Sequence, residues 1–465
     1  MANLVSDGKL CIEREVETVY GDDEEEVLTQ SDMIKRYDIR ETCKWISDNK
    51  FARVCLQLPD EMIHVSAQIY QEIKKLIDVD LYILGDTSYA SCCIDSVAAM
   101  HVQGDAVVHY GHTCFSKTNI PVFTVLSKRK LEMSPIMDML KNTINFDENV
   151  KLCLFYDADY EHLKDVLASA WYQQYQNSYI AYFQLEDKPN KVMNRVLKTS
   201  TSSEVSPDVL KDCICLYLGS RKQTMFNYTI SIEASQWYSV DPSTQTIEAI
   251  DQTMWIKRRR FLVEKCKDAN IVGILICKLA GDETKAIITR MQDLCKMHGK
   301  KSYIVSVGKP NVPKLANFPE IDIYVMISCP ENELTSLRDF YRPIVYPYEL
   351  EVALNSNRNP YFTSMVTDYN LLLPGGNHYT DIAMVDDGTD VSLITGKIRI
   401  SGLKESKNGS SKELAEKEEW ALENIGKNLQ DRSWKGLEQK LGETEVKIAE
   451  EGRKGIPLQY TNEPE

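Results

Sequence analysis

Cys92, Cys93, Cys114 and Cys329 stand outside the apolar runs of the chain, and their thiols are the groups best placed to do chemistry. Other cysteines read more simply. Cys55, Cys153, Cys213, Cys215 and Cys277 sit inside runs such as "RVCLQL" and "ILICKL", where a free thiol packs as a small apolar residue. Thirteen cysteines is an odd number, and the first residues lack the basic start and apolar run of a secretory signal; reduced thiols rather than a disulfide framework are expected. Thiolates that converge under reducing conditions select zinc or an iron–sulfur cluster. From Cys93 to Cys114 is 21 positions and from Cys114 to Cys329 is 215, which is not the close pairing of a zinc ribbon. Ligands so dispersed need a preformed fold around them. The competing reading is that strand-end cysteines fill the seams between domains.

The elements that must position these thiols follow from the hydrophobic pattern. Short apolar runs rich in β-branched and aromatic residues alternate with longer segments of helical period, which predicts parallel sheets covered by helices. Three rounds of the pattern occur. The first comprises residues 52–58, 81–85, 106–110 and 122–126; the second 150–157, 178–185 and 213–220; the third 270–277, 301–308 and 322–329. The helical segment 282–301 joins the first two strands of the third round and carries Gly299 as a C-cap. The expected fold is therefore α/β, with three similar domains, each a small parallel sheet flanked by helices, around a central cysteine-lined site. The expected bounds are 33–145, 146–265 and 266–400. An acidic arm (1–32, with "GDDEEEV") precedes them and a charged helical tail (401–465) follows.

In open α/β sheets, ligands bind at the carboxyl ends of the strands. Cys329 follows the run 322–328 and precedes Pro330, which stops the strand there. Cys92 and Cys93 follow the run 81–85, and Cys114 follows 106–110, so all four fall on the same kind of edge. Domains that face one another would bring these sulfurs together.

Composition narrows the function classes. A formal net charge of −15 argues against an electrostatic grip on nucleic acid or anionic lipid. The densest basic patch, "IKRRRF" at 256–261, reads as a solvated helix face. No stretch approaches the run of about 20 apolar residues that a membrane span needs, so a soluble, cytoplasmic protein is expected. Neither G-x-G-x-x-G nor G-x-x-x-x-G-K-[ST] is present, which disfavours a nucleotide-binding enzyme.

Three stretches carry a family resemblance. "LGDTSYASCCIDSVAAMHVQGDAVVHYGH" resembles the signature of the diphthamide synthesis proteins 1 and 2, in which an aspartate-threonine-tyrosine loop precedes the first cluster cysteine. "GKKSYIVSVGKPNVPKLANFPEIDIYVMISCPEN" and "DFYRPIVYPYELEVAL" resemble the family's third domain, and "SWKGLEQKLGETEVKIAEEGRKGIPLQYTNE" resembles the tail of its second eukaryotic subunit. The likeness covers most of residues 30–460. It implies the first step of diphthamide synthesis, in which a [4Fe–4S] cluster cleaves S-adenosylmethionine. The 3-amino-3-carboxypropyl group then passes to a histidine of translation elongation factor 2. Family members have three α/β domains, each offering one cysteine to a central cluster; eukaryotes use a heterodimer of the two related subunits.

The sequence departs from that pattern in the middle domain. The stretch "VLKTSTSSEVSPDVLKD", where the family places its middle cysteine, contains none, and Cys213 and Cys215 belong to the strand that follows. A cluster that activates S-adenosylmethionine needs three protein thiolates and one open iron. Cys114 restores the count to three with Cys329 and one of the adjacent pair. Cys92 lies 17 positions before His109, which fits the family spacing; Cys93 fits if Cys114 is its companion. Asp86 and Tyr89 read as residues that shape the loop, and His109 and His112 as satisfied polar residues near a sheet edge rather than ligands. The resemblance thus implies an accessory subunit that passes electrons to the cluster of a catalytic homologous partner, where S-adenosylmethionine is used, with a small iron protein as donor. Two rivals remain: a self-sufficient transferase and a metal-free scaffold.

Overall fold

The computed structural model describes residues 29–85, 91–143, 150–184, 190–277, 281–308, 310–331, 340, 342–383, 389–396, 398–400, 455–456 and 459–460. Asp86 and Tyr89 lie outside them, as do most of the arm and tail. The first helix among the described residues, Gln30–Arg36, starts within the stretch read as arm, because Thr29 caps it by accepting from the backbone of Asp32.

The first sheet contains β1 (Arg53–Gln57), β2 (Asp80–Leu84), β3 (Ala106–Tyr110) and β4 (Val122–Val125), all parallel, in the order β2-β1-β3-β4. Each of β1 and β3 is nearly all buried, so their sequences are continuous apolar runs rather than alternating ones. The middle sheet contains β5 (Lys151–Tyr156), β6 (Ser178–Phe183), β7 (Arg195–Lys198), β8 (Glu204–Val205), β9 (Cys213–Leu218), β10 (Gln236–Asp241) and β11 (Thr246–Ile250). Its order is β11-β10-β9-β5-β6-β7-β8. The third sheet contains β12 (Ile271–Ile276), β13 (Lys301–Ser306), β14 (Ile323–Ile327) and β15 (Ile344–Val345), all parallel, in the order β13-β12-β14-β15.

One topology therefore occurs three times: the second strand, the first, the third and the fourth lie side by side. In the middle sheet these are β6-β5-β9-β10, and β7, β8 and β11 extend the edges in antiparallel fashion. That sheet is mixed and larger than the small parallel sheet expected. The added strands escape a search for apolar runs because they are short or half-exposed; Thr246–Ile250 has no fully buried residue. Gly299 does terminate its helix, Gly281–Met297, with a φ of +63°.

Residues up to 405 form one compact unit, and 406–465 a second. Of the second, the described residues are β18 (Gly455–Ile456) and β19 (Gln459–Tyr460), an antiparallel pair, numbered after the hairpin strands β16 (Thr389–Val391) and β17 (Ile398–Ile400) of the first unit. That part of the expected helical tail is thus extended. Among the described residues no helix is long and apolar enough to cross a membrane.

Candidate metal centre

Each of the four thiols comes from loop backbone just past a strand's carboxyl end. Cys92 and Cys93 lie between β2 and the helix Ser96–His101, in a segment held from two sides. Gln57, the last residue of β1 and itself buried, donates to the Cys93 carbonyl (2.7 Å) and accepts from the Asp95 amide (2.9 Å). The imidazole of His109 on β3 bonds to the Ser91 carbonyl (3.0 Å) through Nε2. After β3 the chain turns at Gly111, whose φ of +84° and proximity to Pro59 leave little room for a side chain. It then reaches Cys114, whose amide donates to the Cys92 carbonyl at 3.1 Å. Cys329 arrives from the other side of the molecule, two residues beyond β14.

The four sulfurs lie within 4.8 Å of one another, and all four residues are buried. Separations are 3.9 Å for Cys92–Cys93, 3.8 Å for Cys92–Cys329 and 3.9 Å for Cys93–Cys114. No imidazole or carboxylate belongs to the set. Hydrogen bonding among the thiols, that of Cys114 first, together with burial holds Cys92 and Cys329 well above the ordinary thiol range. Such a group stays protonated until a cation replaces the protons. The donor set fits an iron–sulfur centre, whose irons take cysteine thiolates. Three of the six edges, at 3.8–3.9 Å, match a tetrahedron around one ion with metal–sulfur bonds of about 2.3 Å, within a group no wider than 4.8 Å. A four-iron cube spreads its thiolates wider, and all four donors here stand on loop backbone, outside the strand ladders.

Both members of the adjacent pair, Cys92 and Cys93, between which the sequence left the choice open, belong to the group. Cys55, Cys153, Cys213, Cys215 and Cys277 are core residues, as expected. Among the described residues all cysteines are free thiols.

The sequence of residues 58–362 matches the model of the diphthamide synthesis protein family. Proteins named 2-(3-amino-3-carboxypropyl)histidine synthase subunit 2 are similar along nearly their whole length. The one from Danio rerio is 34% identical over 462 residues, covering 93% of this chain and 92% of its own. That from Schizosaccharomyces pombe is 32% identical over 482 residues, covering 94% and 93%. The chain belongs to the diphthamide synthesis protein family. Its fold is also that of the family's solved structures. Dph2 from Pyrococcus horikoshii superposes with a TM-score of 0.52 at 18% identity, covering 70% of this chain and 93% of that one. A second structure of the same protein, with a 4Fe-4S cluster, gives 0.51 at 20% identity.

In this family member the middle sheet brings charge rather than sulfur to its carboxyl edge. Asp157, after β5, and Asp159 are buried. Arg221, after β9, donates to Asp159 (3.1 Å), and Arg129 reaches the same carboxylate (3.0 Å). Burial raises the Asp159 carboxyl, and Arg221 works against it. Beside them, His112 and Glu331 form an ion pair between the loops that carry Cys114 and Cys329. Burial disfavours a charged His112, and the Glu331 carboxylate more than offsets this, so its pKa is raised. Sequence reasoning missed Gln57, Glu331, Asp157 and Arg221. Only Glu331, two residues beyond Cys329, had a positional signal.

Proposed function

We propose that this chain is the accessory, electron-transferring iron–sulfur subunit of a heterodimeric 3-amino-3-carboxypropyltransferase that performs the first step of diphthamide synthesis on a histidine of elongation factor 2. The observation that carries this reading is the convergence of four thiols at a centre where activation of S-adenosylmethionine calls for three. A [4Fe–4S] cluster bound here would supply single electrons. Cys92, Cys93, Cys114 and Cys329 would hold it with one thiolate per iron, which leaves no open iron for substrate. S-adenosylmethionine then belongs to the catalytic homologous subunit, and a small iron protein is the electron source. The three sheets support lobes at 33–145, 146–265 and 266–400, and the free thiols accord with a cytoplasmic site of action.

The test is anaerobic co-purification with the partner subunit. About four irons and four sulfides on this chain, with visible absorption that bleaches on reduction, are expected. Replacing all four cysteines by serine should abolish diphthamide formation supported by the biological donor, and a strong chemical reductant should restore it. Unchanged formation would leave only a scaffold; no restoration would contradict electron transfer. The three short sulfur edges support a second reading, a single tetrahedral ion. One zinc per colourless chain would establish it.

A further inference from the structure

The middle sheet supplies no thiol to the centre, yet it reaches the loops that do. Thr224 lies in the first turn of the helix Lys222–Ser231, which follows β9, and is buried. Its Oγ1 is 3.3 Å from Glu331 Oε2 and 3.4 Å from His112 Nε2. The same Glu331 oxygen accepts from His112. One carboxylate oxygen thus meets a group from each of the other two sheets. His112 comes two residues before Cys114, and Glu331 comes two residues after Cys329. The helix that presents Thr224 is fixed at its start, because Arg221, its N-cap residue, is bound to Asp159.

We propose that His112, Glu331 and Thr224 form a three-sheet clasp that sets the separation between the cysteines of the first sheet and Cys329 of the third. They are positioning residues, and the middle sheet acts on the centre through Thr224 in place of a thiolate. The physical reason is partial burial: the Glu331 side chain is 13% exposed, so a carboxylate that loses its donors there is only partly compensated by water. The inference takes from the preceding reading only that the four cysteines are the metal ligands, and that is needed only for its second measurement.

The first measurement is thiol cross-linking with dibromobimane in the metal-free full-length chain, followed by peptide mapping. The Cys92–Cys329 link spans two sheets (3.8 Å), whereas Cys93–Cys114 lies within one (3.9 Å) and serves as the internal control. Glu331→Ala should lower the ratio of the first link to the second by about tenfold, the worth of a hydrogen bond to a charged group. Thr224→Val, which keeps the shape, should lower it by about threefold, and Glu331→Gln, which keeps an acceptor, should stay nearer the parent. A general loss of stability would reduce both links together. The second measurement is the rate at which a ferrous chelator removes iron, expected to rise in the same order. An unchanged ratio in Glu331→Ala and Thr224→Val overturns the clasp even where the parent chain binds iron. A parent that binds no iron but shows the altered ratio keeps the clasp and removes the iron–sulfur reading.

Discussion

The third strand of the first sheet and the third strand of the third sheet end alike, and the corresponding strand of the middle sheet does not. β3 runs into His112 and Cys114, and β14 into Cys329 and Glu331, whereas β9 runs into Gly219, Ser220 and Arg221. The outer sheets also begin alike. Asp105, just before β3, accepts from the amides of Ala52 and Arg53, and Asp322, just before β14, accepts from those of Asn270 and Ile271. The same strand order thus supports two edge chemistries. A soft sulfur set needs burial and closeness. A buried pair of aspartates needs arginines, because an unpaired carboxylate there is costly.

The largest expected effect separates these edges outright. Cys329→Ser should remove most of the bound metal and its visible absorption, whereas Cys215→Ala, in the core of the middle sheet, should leave both intact; metal analysis after gel filtration decides it. Equal loss in the two variants would erase the distinction.

Next comes the packing of the third sheet's helix Pro347–Leu354. Glu351 is fully buried and paired with Arg290 and Arg358. Glu351→Ala leaves two guanidiniums unpaired and should cost about 3–5 kcal/mol in denaturant unfolding. Gly219→Ala should act on the middle sheet alone. Its Cβ would meet the Cβ of Asp157 at 2.8 Å and the Tyr217 ring at 3.0 Å, so a loss of about 1–3 kcal/mol is expected, with metal content unchanged.

The smallest effect concerns pH. Backbone amides, that of Arg53 first, hold the exposed Asp105 carboxyl below its ordinary value. A depressed pKa contributes stability above the unfolded value that disappears as pH falls through the folded one. Asp105→Asn should therefore narrow the stability difference between neutral and acidic solution slightly, read as a smaller shift in unfolding midpoint between pH 6 and pH 3. A matching result for Asp322→Asn would sharpen the likeness of the outer sheets.

Much of this architecture was legible in advance because buried parallel strands are written as continuous apolar runs. Three strands of the first sheet and three of the four in the third fall within the runs read from the sequence, and β2 starts one residue before its run. The two-residue β15 is too short to give a signal, and the strands at the rims of the middle sheet are half-exposed and lack the uninterrupted apolar character. The cysteines were legible by exclusion. Those inside apolar runs lie in the core, and those past strand ends converge in one buried group.

Composition, periodicity and strand punctuation by themselves determined that this is an α/β chain whose strand-end thiols lie on carboxyl edges. Those are local properties, fixed by which residues can be buried and where the backbone must stop. The tertiary structure decided that Cys92 and Cys93 both join Cys114 and Cys329, and that Glu331 meets His112 and Thr224. Those meetings span up to 237 positions and depend on how three sheets pack, which no local pattern encodes.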